Sequence, residues 1–493
     1  MSIDNQKLKR SGLKAGAWNF STTIISQLRN FIVSLILARL LSPADFGLLG
    51  MATVFVGVVE TFVDFGFGAS IVQAKRITRQ QMSTVFYINL IMGLIFAVTM
   101  FFSSGIIASF FHEERLNAIV KVLSATFIVK ALQIMPEVQF KRALNYHDPF
   151  KISIISGIIS GILGIMFAFL DYGVWALVYS QIIGWGISLV LQYWKTKWYP
   201  MPYFNIHEIK DLWKFGYKFS LSVMIDQVFN KLNTILIGRF YSASLLGLYY
   251  RASSLNRLVI QYSFSSFSNI LFPTFCKYQD DLIMLRHNVL RVVQVVSFLT
   301  FLFSGLMIIC AGDLINILYG SKWAGAVDFF KILGLFSITQ TIPSILVNAL
   351  MSVGRTDVNL KIEIIKKTLY VFAIPIGLHY GVYGYVWAIS ISALITMPLN
   401  MWSLKYIQLS MSKQFTAIFN YLIPFAILVV LDMTFSNYMD IENVWVSLLI
   451  KSSLYFTTYI SWNLILKNAG IYATISLIRP ILTPALSRIR FFK

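Results

Sequence analysis

Charge is scarce in this chain. Asp, Glu, Lys and Arg make up 13% of its 493 residues, about half of the roughly 25% usual in soluble domains. A soluble enzyme is excluded on that ground. Cysteine is nearly absent: Cys276 and Cys310 are the only two, too few for a disulfide framework or a zinc site. The five histidines, His112, His147, His207, His287 and His379, are scattered over loops and helix ends and build neither a metal cluster nor a catalytic triad. No glycine loop of P-loop spacing is present, so ATP is not hydrolysed by this chain.

Apolar residues fill the space left by charge. Hydrophobic side chains are 57% and aromatics 15% of the sequence. A bilayer core of about 30 Å needs about 20 mostly apolar residues per helix, and such runs recur down the whole chain. They predict helices near 17–40, 46–71, 83–111, 116–138, 150–170 and 174–194. A second set follows near 213–238, 246–272, 288–311, 326–350, 359–379 and 382–404, and two more near 416–434 and 443–466. The fold expected is an all-α polytopic membrane protein of about fourteen transmembrane helices. The first run carries Arg29 and Arg39 and lacks a small-residue exit, so it reads as a permanent helix and not a signal peptide.

The net charge of +20 raises the question of a polyanion partner. Its distribution answers for most of it. Of 41 basic residues, 29 fall in alternate loops and the termini, against four (Arg39, Arg115, Arg239 and Lys322) in the intervening loops. That bias places both termini in the cytoplasm and requires an even number of spans, a test that twelve would also pass. Basic residues spread over eight segments form no stripe for DNA or RNA.

An internal repeat organises the chain. Residues 13–52 align without a gap onto 213–252, with identities that include Gln27/Gln227, Asn30/Asn230, Arg39/Arg239, Ser42/Ser242 and Gly47/Gly247. A second match pairs Tyr172-Gly173-Val174 with Tyr380-Gly381-Val382. Six helices separate equivalent positions, so the halves insert in the same orientation as parallel repeats. The organisation expected is a six-helix lobe over 1–200, a cytoplasmic linker with a surface helix over 201–212, and a second lobe over 213–405. An additional helix pair follows over 406–466, then a basic amphipathic cytoplasmic tail over 467–493. Two lobes facing one axis is a transporter layout, which a membrane enzyme has no physical need for.

Polar residues inside the spans show which faces are wet, because an ionisable group at mid-membrane costs at least roughly 2.5–3.5 kcal/mol on insertion scales. Stripes at helical spacing run through Asn19, Thr22, Ser26 and Asn30; Thr53, Gly57, Glu60 and Asp64; and Thr126, Lys130, Gln133 and Glu137. Others are Asp226, Asn230 and Asn233; Ser253, Arg257, Gln261 and Ser265; and Ser337, Thr341, Ser344 and Asn348. They can line one polar space between the lobes, or serve equally well as helix-packing glue. Arg29, Lys130 and Arg257 are the deep cations and the candidate substrate contacts. Lys121, Lys331 and Arg251 are near enough to helix ends to reach headgroups, and Arg39 and Arg239 read as fold residues shared by both repeats. Glu60 and Asp64 share one face and can hold a proton between them, or neutralise nearby cations. Asp226 beside two asparagines offers oxygen ligands to a hard cation, or a structural network. These three acids are the candidates for ion coupling. No resident cofactor or metal is expected, only a coupling H+ or Na+.

The stretch Leu37-Ala-Arg-Leu-Leu-Ser-Pro-Ala-Asp-Phe-Gly-Leu-Leu-Gly-Met-Ala-Thr-Val-Phe55 resembles the polysaccharide transporter (flippase) family, nearest its colanic-acid and teichuronic-acid exporter branch. Phe65-Gly-Phe-Gly-Ala-Ser-Ile-Val-Gln73, Tyr172-Gly-Val-Trp-Ala-Leu-Val178, Gly247-Leu-Tyr-Tyr-Arg-Ala-Ser-Ser-Leu255 and Leu271-Phe-Pro-Thr-Phe-Cys-Lys-Tyr-Gln279 carry the likeness further. It implies the multidrug/oligosaccharidyl-lipid/polysaccharide exporter superfamily, with alternating access between two lobes. The implied substrate is an undecaprenyl-diphosphate-linked oligosaccharide moved from the cytoplasmic to the outer leaflet of a bacterial inner membrane. Glycosyltransferases and a polymerase of the same pathway would be its partners. A drug or organic-cation antiporter would share the lobes, though its cargo would meet the deep cations unfavourably. A membrane glycosyltransferase or polymer ligase would need a larger outer loop than those near 311–325 and 435–442.

Overall fold

The computed structural model describes residues 25–260, 266–435 and 443–476, and its side chains over most of these. Every regular element among them is helical. The chain forms two compact units, Met1–Tyr250 and Arg251–Lys493, which divide within one helix.

The first unit holds α1 (25–40), α2 (Pro43–Asp64), α3 (Phe67–Gln73), α4 (Arg79–Phe111), α5 (Arg115–Leu123), α6 (Ala125–Arg142), α7 (His147–Phe169), α8 (Val174–Thr196) and α9 (Lys210–Phe240). The dividing helix is α10 (Ala243–Ile260). The second unit continues with α11 (Ser266–Lys277), α12 (Leu282–Ile309), α13 (Ala311–Tyr319), α14 (Ala326–Leu335), α15 (Ile338–Ser352), α16 (Thr356–His379) and α17 (Gly381–Ser403). It closes with α18 (Met411–Phe435), α19 (Val444–Ile465) and α20 (469–476). Nine helical stretches among the described residues are long and apolar enough to cross a membrane. Helix α16 falls outside that set because Asp357, Lys361, Glu363, Lys366 and Lys367 accumulate along its first half.

Several expected spans are interrupted, each for a local reason. The run 46–71 is broken where Phe65 and Gly66 take left-handed backbone (φ 45° and 72°), which glycine permits at little cost. Asp64 then accepts a hydrogen bond from the Gly68 N–H (2.8 Å), capping α3. The runs 116–138 and 326–350 are divided at Ser124 and Ser337. These hydroxyls donate to the carbonyls of Lys121 (2.6 Å) and Leu333 (3.1 Å), a competition with the backbone ladder that bends helices. Residues 311–325, expected as an outer loop, form α13 and a tight turn that buries Trp323 completely.

Helix starts follow the sequence closely. Ser42 and Asp45 form a capping box with Pro43 at the first helical position of α2. In the repeat, Ser242 accepts from the Leu245 N–H (3.2 Å) at the start of α10. These two helix ends cross within the first unit with almost no clearance. A β-carbon on Gly47 would lie 1.7 Å from the Ala243 carbonyl oxygen, and one on Gly247 would lie 1.8 Å from that of Pro43. The contact is reciprocal, since 43 and 47 are the repeat partners of 243 and 247. Beside it Arg239 donates to the Phe110 carbonyl and lies 5.0 Å from the Phe110 ring, pinning the end of α4.

Segment 199–209 does not stand free. Met201 N–H donates to Ser83 Oγ (2.9 Å), Asn205 N–H to Thr84 Oγ1 (3.2 Å) and Gln81 Nε2 to the Glu208 carbonyl (3.1 Å), all at the start of α4. In the second unit, α12 is the central pillar: Val289, Val293 and Val296 are buried with Ile342 and Ile345 of α15, Phe425 of α18 and Tyr459 of α19. A charged contact fastens the additional pair. Lys451 of α19 meets Asp313 of α13 at 3.5 Å, and Ser447 Oγ donates to the same carboxylate oxygen (2.8 Å). The start of the tail is docked too, with the Gly470 N–H on Tyr421 Oη (2.7 Å).

Two outcomes follow for stability. Gly47→Val or Gly247→Val lowers the thermal midpoint of the purified protein by at least about 3 °C. Gly105→Val does not, because a β-carbon there meets nothing within 4 Å. Asp313→Asn and Lys451→Met each destabilise by stranding a partly buried charge, and the double variant loses less than the sum of the two. Thermal unfolding followed by tryptophan fluorescence reads both, and additive losses at 313 and 451 would refute the second.

Candidate functional site

The deep charges of the first unit sit on α1, α2, α6 and α9. Glu60 and Lys130 form an ion pair (3.0 Å), each side chain about one-third exposed (32% and 31%). The ammonium also lies 5.5 Å from the Trp185 ring centre on α8, a cation–π position. Gln133, one turn along α6, donates to the Trp185 carbonyl (3.1 Å) and fixes that helix pair. Lys130 precedes the end of α6 at Arg142 by 12 residues, about 18 Å of helix. The pair is therefore well inside a bilayer core of about 30 Å.

Arg29 is held differently. Its guanidinium donates to Asn30 Oδ1 (2.9 Å) and to the Ser153 carbonyl of α7. Gly157, one turn on, leaves it room: a β-carbon there would fall 2.0 Å from Arg29 Cζ. Ser26 Oγ and Ser153 Oγ are 3.4 Å apart in the same seam. Among the described residues Arg29 has no acidic partner, so its charge is solvated by carbonyl and amide oxygens. Asn19 and Thr22 of the same stripe lie outside the described residues.

The other candidates separate. Asp64 accepts from the Gly68 N–H at the start of α3. The backbone of Asp226 lies on α9, but its side chain is outside the described residues. Arg257 of the second unit is exposed and, among the described residues, makes no ion pair. Ser337 and Thr341 are buried packing residues; they bond to Asn256 Oδ1 (3.2 Å) and Thr300 Oγ1 (3.2 Å) within the second unit.

Two cations differ from the expectation or escaped it. Arg251 does not reach for headgroups: it is 4% exposed, its guanidinium 5.8 Å and 5.9 Å from the Tyr319 and Trp323 rings. Its signal was the pair of aromatics in 311–325, which only folding brings to it. Lys231 was not singled out at all. It lies against Gly57, where a β-carbon would meet its Cε at 3.8 Å, one turn from Glu60 on α2. Its place in the sequence between Asn230 and Asn233 was the available clue. Nine residues separate it from the end of α9 at Phe240, about 14 Å of helix. The described middle of the first unit thus carries Arg29, Lys130 and Lys231, with Glu60 as the acid that directly pairs.

Comparison with known proteins fits this arrangement. A family model described as polysaccharide biosynthesis protein matches residues 36–328. The teichuronic acid biosynthesis protein TuaB of Bacillus subtilis is 26% identical over 373 residues, covering 74% of this chain and 76% of that one. The lipopolysaccharide biosynthesis protein WzxC of Escherichia coli is 25% identical over 379 residues, 75% and 76% of the two chains. Among solved structures, the lipid II flippase MurJ in its inward closed conformation superposes with a TM-score of 0.72 at 14% identity, over 94% of this chain and 99% of its own. That likeness establishes the fold, a multi-pass helical architecture shared with that structure. With the family model covering more than half of its length, the chain belongs to the polysaccharide biosynthesis protein family.

Proposed function

We propose that this protein moves an undecaprenyl-diphosphate-linked oligosaccharide from the cytoplasmic to the outer leaflet by alternating access of its repeated lobes. The observation that carries the reading is the cationic middle of the first unit. A diphosphate crossing a low-dielectric slab needs positive groups at mid-depth, since an uncompensated anion there is strongly disfavoured. Lys130 supplies one at the cost of releasing Glu60, while Arg29 offers a guanidinium already solvated by neutral oxygens. Arg257 adds an exposed cation from the second unit. An organic-cation cargo would be repelled by the same groups.

The exchange at Lys130 also supplies a coupling step. When the phosphate takes the ammonium, Glu60 loses its counter-charge and is open to a coupling H+ or Na+ in its place. Asp64 and Asp226 are the further acids through which a gradient would act. The protein works in the bacterial inner membrane with both termini cytoplasmic, as the basic loops favour. Pathway glycosyltransferases would supply the substrate and a polymerase would consume it.

Reconstitution into vesicles with a fluorescent polyprenyl-diphosphate oligosaccharide tests the proposal, and absence of translocation with any lipid-linked sugar refutes it. Lys130→Met is expected to slow translocation by about tenfold or more, the worth of one charge-assisted contact. Glu60→Gln leaves Lys130 free for phosphate but removes a gradient-sensitive group, so transport persists with a weaker dependence on the imposed gradient. Wild-type rates from Lys130→Met, Arg29→Gln and Arg257→Gln together would overturn the cationic path.

A further inference from the structure

Helices α12 and α20 of the second unit enclose an open cleft of about 470 Å³ that none of the candidate site residues above lines. Its polar wall is His287, Arg291 and Gln294 on α12 and Ser476 on α20; Leu290 and Tyr472 supply much of its apolar wall. His287 and Arg291 are four residues apart and share one face of α12. Both are exposed. Arg291 Nη2 spans the cleft to Ser476 Oγ at 3.4 Å, a long contact that leaves guanidinium donors available.

Depth along α12 indicates what enters. Arg291 precedes the helix end at Ile309 by 18 residues, about 27 Å of helix. With a hydrocarbon core of about 30 Å, Arg291 and His287 fall at the headgroup level of the end that the basic loops assign to the cytoplasm. Leu290 and Tyr472 face the same opening. A guanidinium at headgroup level over apolar walls matches a phosphodiester whose acyl chains remain in the bilayer. The volume admits a glycerol phosphate and the first methylenes of its chains. The rest of the second unit supports α20 independently, through the Gly470 contact to Tyr421 and the burial of Ile471 and Ala473. The cleft is thus a held shape and not a gap under a loose tail.

We infer that the α12–α20 cleft binds the phosphate headgroup of an anionic phospholipid, with Arg291 as the main ligand and His287, Gln294 and Ser476 as further donors. The bound lipid bridges the central pillar of the second unit to the start of the tail.

Native mass spectrometry of the full-length protein, delipidated and then titrated with phosphatidylglycerol, phosphatidylcholine or inorganic phosphate, tests this. Phosphatidylglycerol is expected to be retained and phosphatidylcholine not. Inorganic phosphate should fail to compete, because it lacks the apolar contacts. Arg291→Gln should weaken retention by about tenfold, the scale of a charge-assisted hydrogen bond. Lys361→Gln, an exposed cation of α16, should change it by less than about twofold. Ala469→Phe fills the cleft from an exposed lining position without removing charge and should abolish retention. It keeps the test valid if Arg291→Gln does not fold. Equal losses from Lys361→Gln and Arg291→Gln would reduce the effect to general surface charge and overturn the inference. So would wild-type retention by Ala469→Phe, or full competition by inorganic phosphate.

Discussion

The reciprocal crossing of α2 and α10 is the constraint on which the first unit depends. Two helices normally approach to 8–10 Å between axes because side chains intervene. Glycine at 47 and 247 removes the side chain on both sides at once, so each helix sets its backbone against a carbonyl of the other. No other residue type fits, and dispersion forces at such contact are maximal. Because the contact is made by repeat partners, duplicating one segment was enough to create both halves of it. It also fixes where neighbouring side chains go. Arg239, one turn before α10, is thereby placed over the end of α4, and Gly238 is set against Phe111 and Met51.

Charge in this protein follows the logic of desolvation. A cation in a low-dielectric region must be paired, spread over π faces, or solvated by backbone oxygens. All three solutions are present. Lys130 pairs with Glu60 and rests on Trp185; Lys451 pairs with Asp313; Arg251 lies beside two aromatic rings; and Arg29 is wrapped by a carbonyl and an amide. The solutions differ in how readily they release the charge. An ion pair one-third exposed can exchange its acid for another anion, whereas an arginine packed between buried rings cannot do so without unpacking them. Lys130 is for that reason the cation we propose for transport and Arg251 a packed one, although both are single cations in apolar runs.

The membrane architecture was legible because it rests on periodicity, which is local, while the family showed through its resemblance at stretches such as Leu37–Phe55. Apolar runs of bilayer length, the serine caps at 42 and 242, and the Glu363–Lys366 pair (2.7 Å) all follow from residues near one another in sequence. The interruptions were less legible. Ser124 and Ser337 look like ordinary stripe residues, and their bonding back to the preceding turn depends on which rotamer packing leaves open.

Sequence by itself therefore determined how many charges enter the membrane and on which helix faces they stand. Only the tertiary structure decided which of them meet. Glu60 takes Lys130 and not Asp64 as its partner, Asp64 is spent on capping α3, and Lys231 arrives beside Gly57 from a helix some 170 residues later. The reason is physical: helical spacing sets direction around one axis, but the distance between charges on different helices is set by side-chain volume at the contacts between them. Here that volume is smallest at Gly47, Gly157 and Gly247, three positions whose importance lies in the side chain they lack.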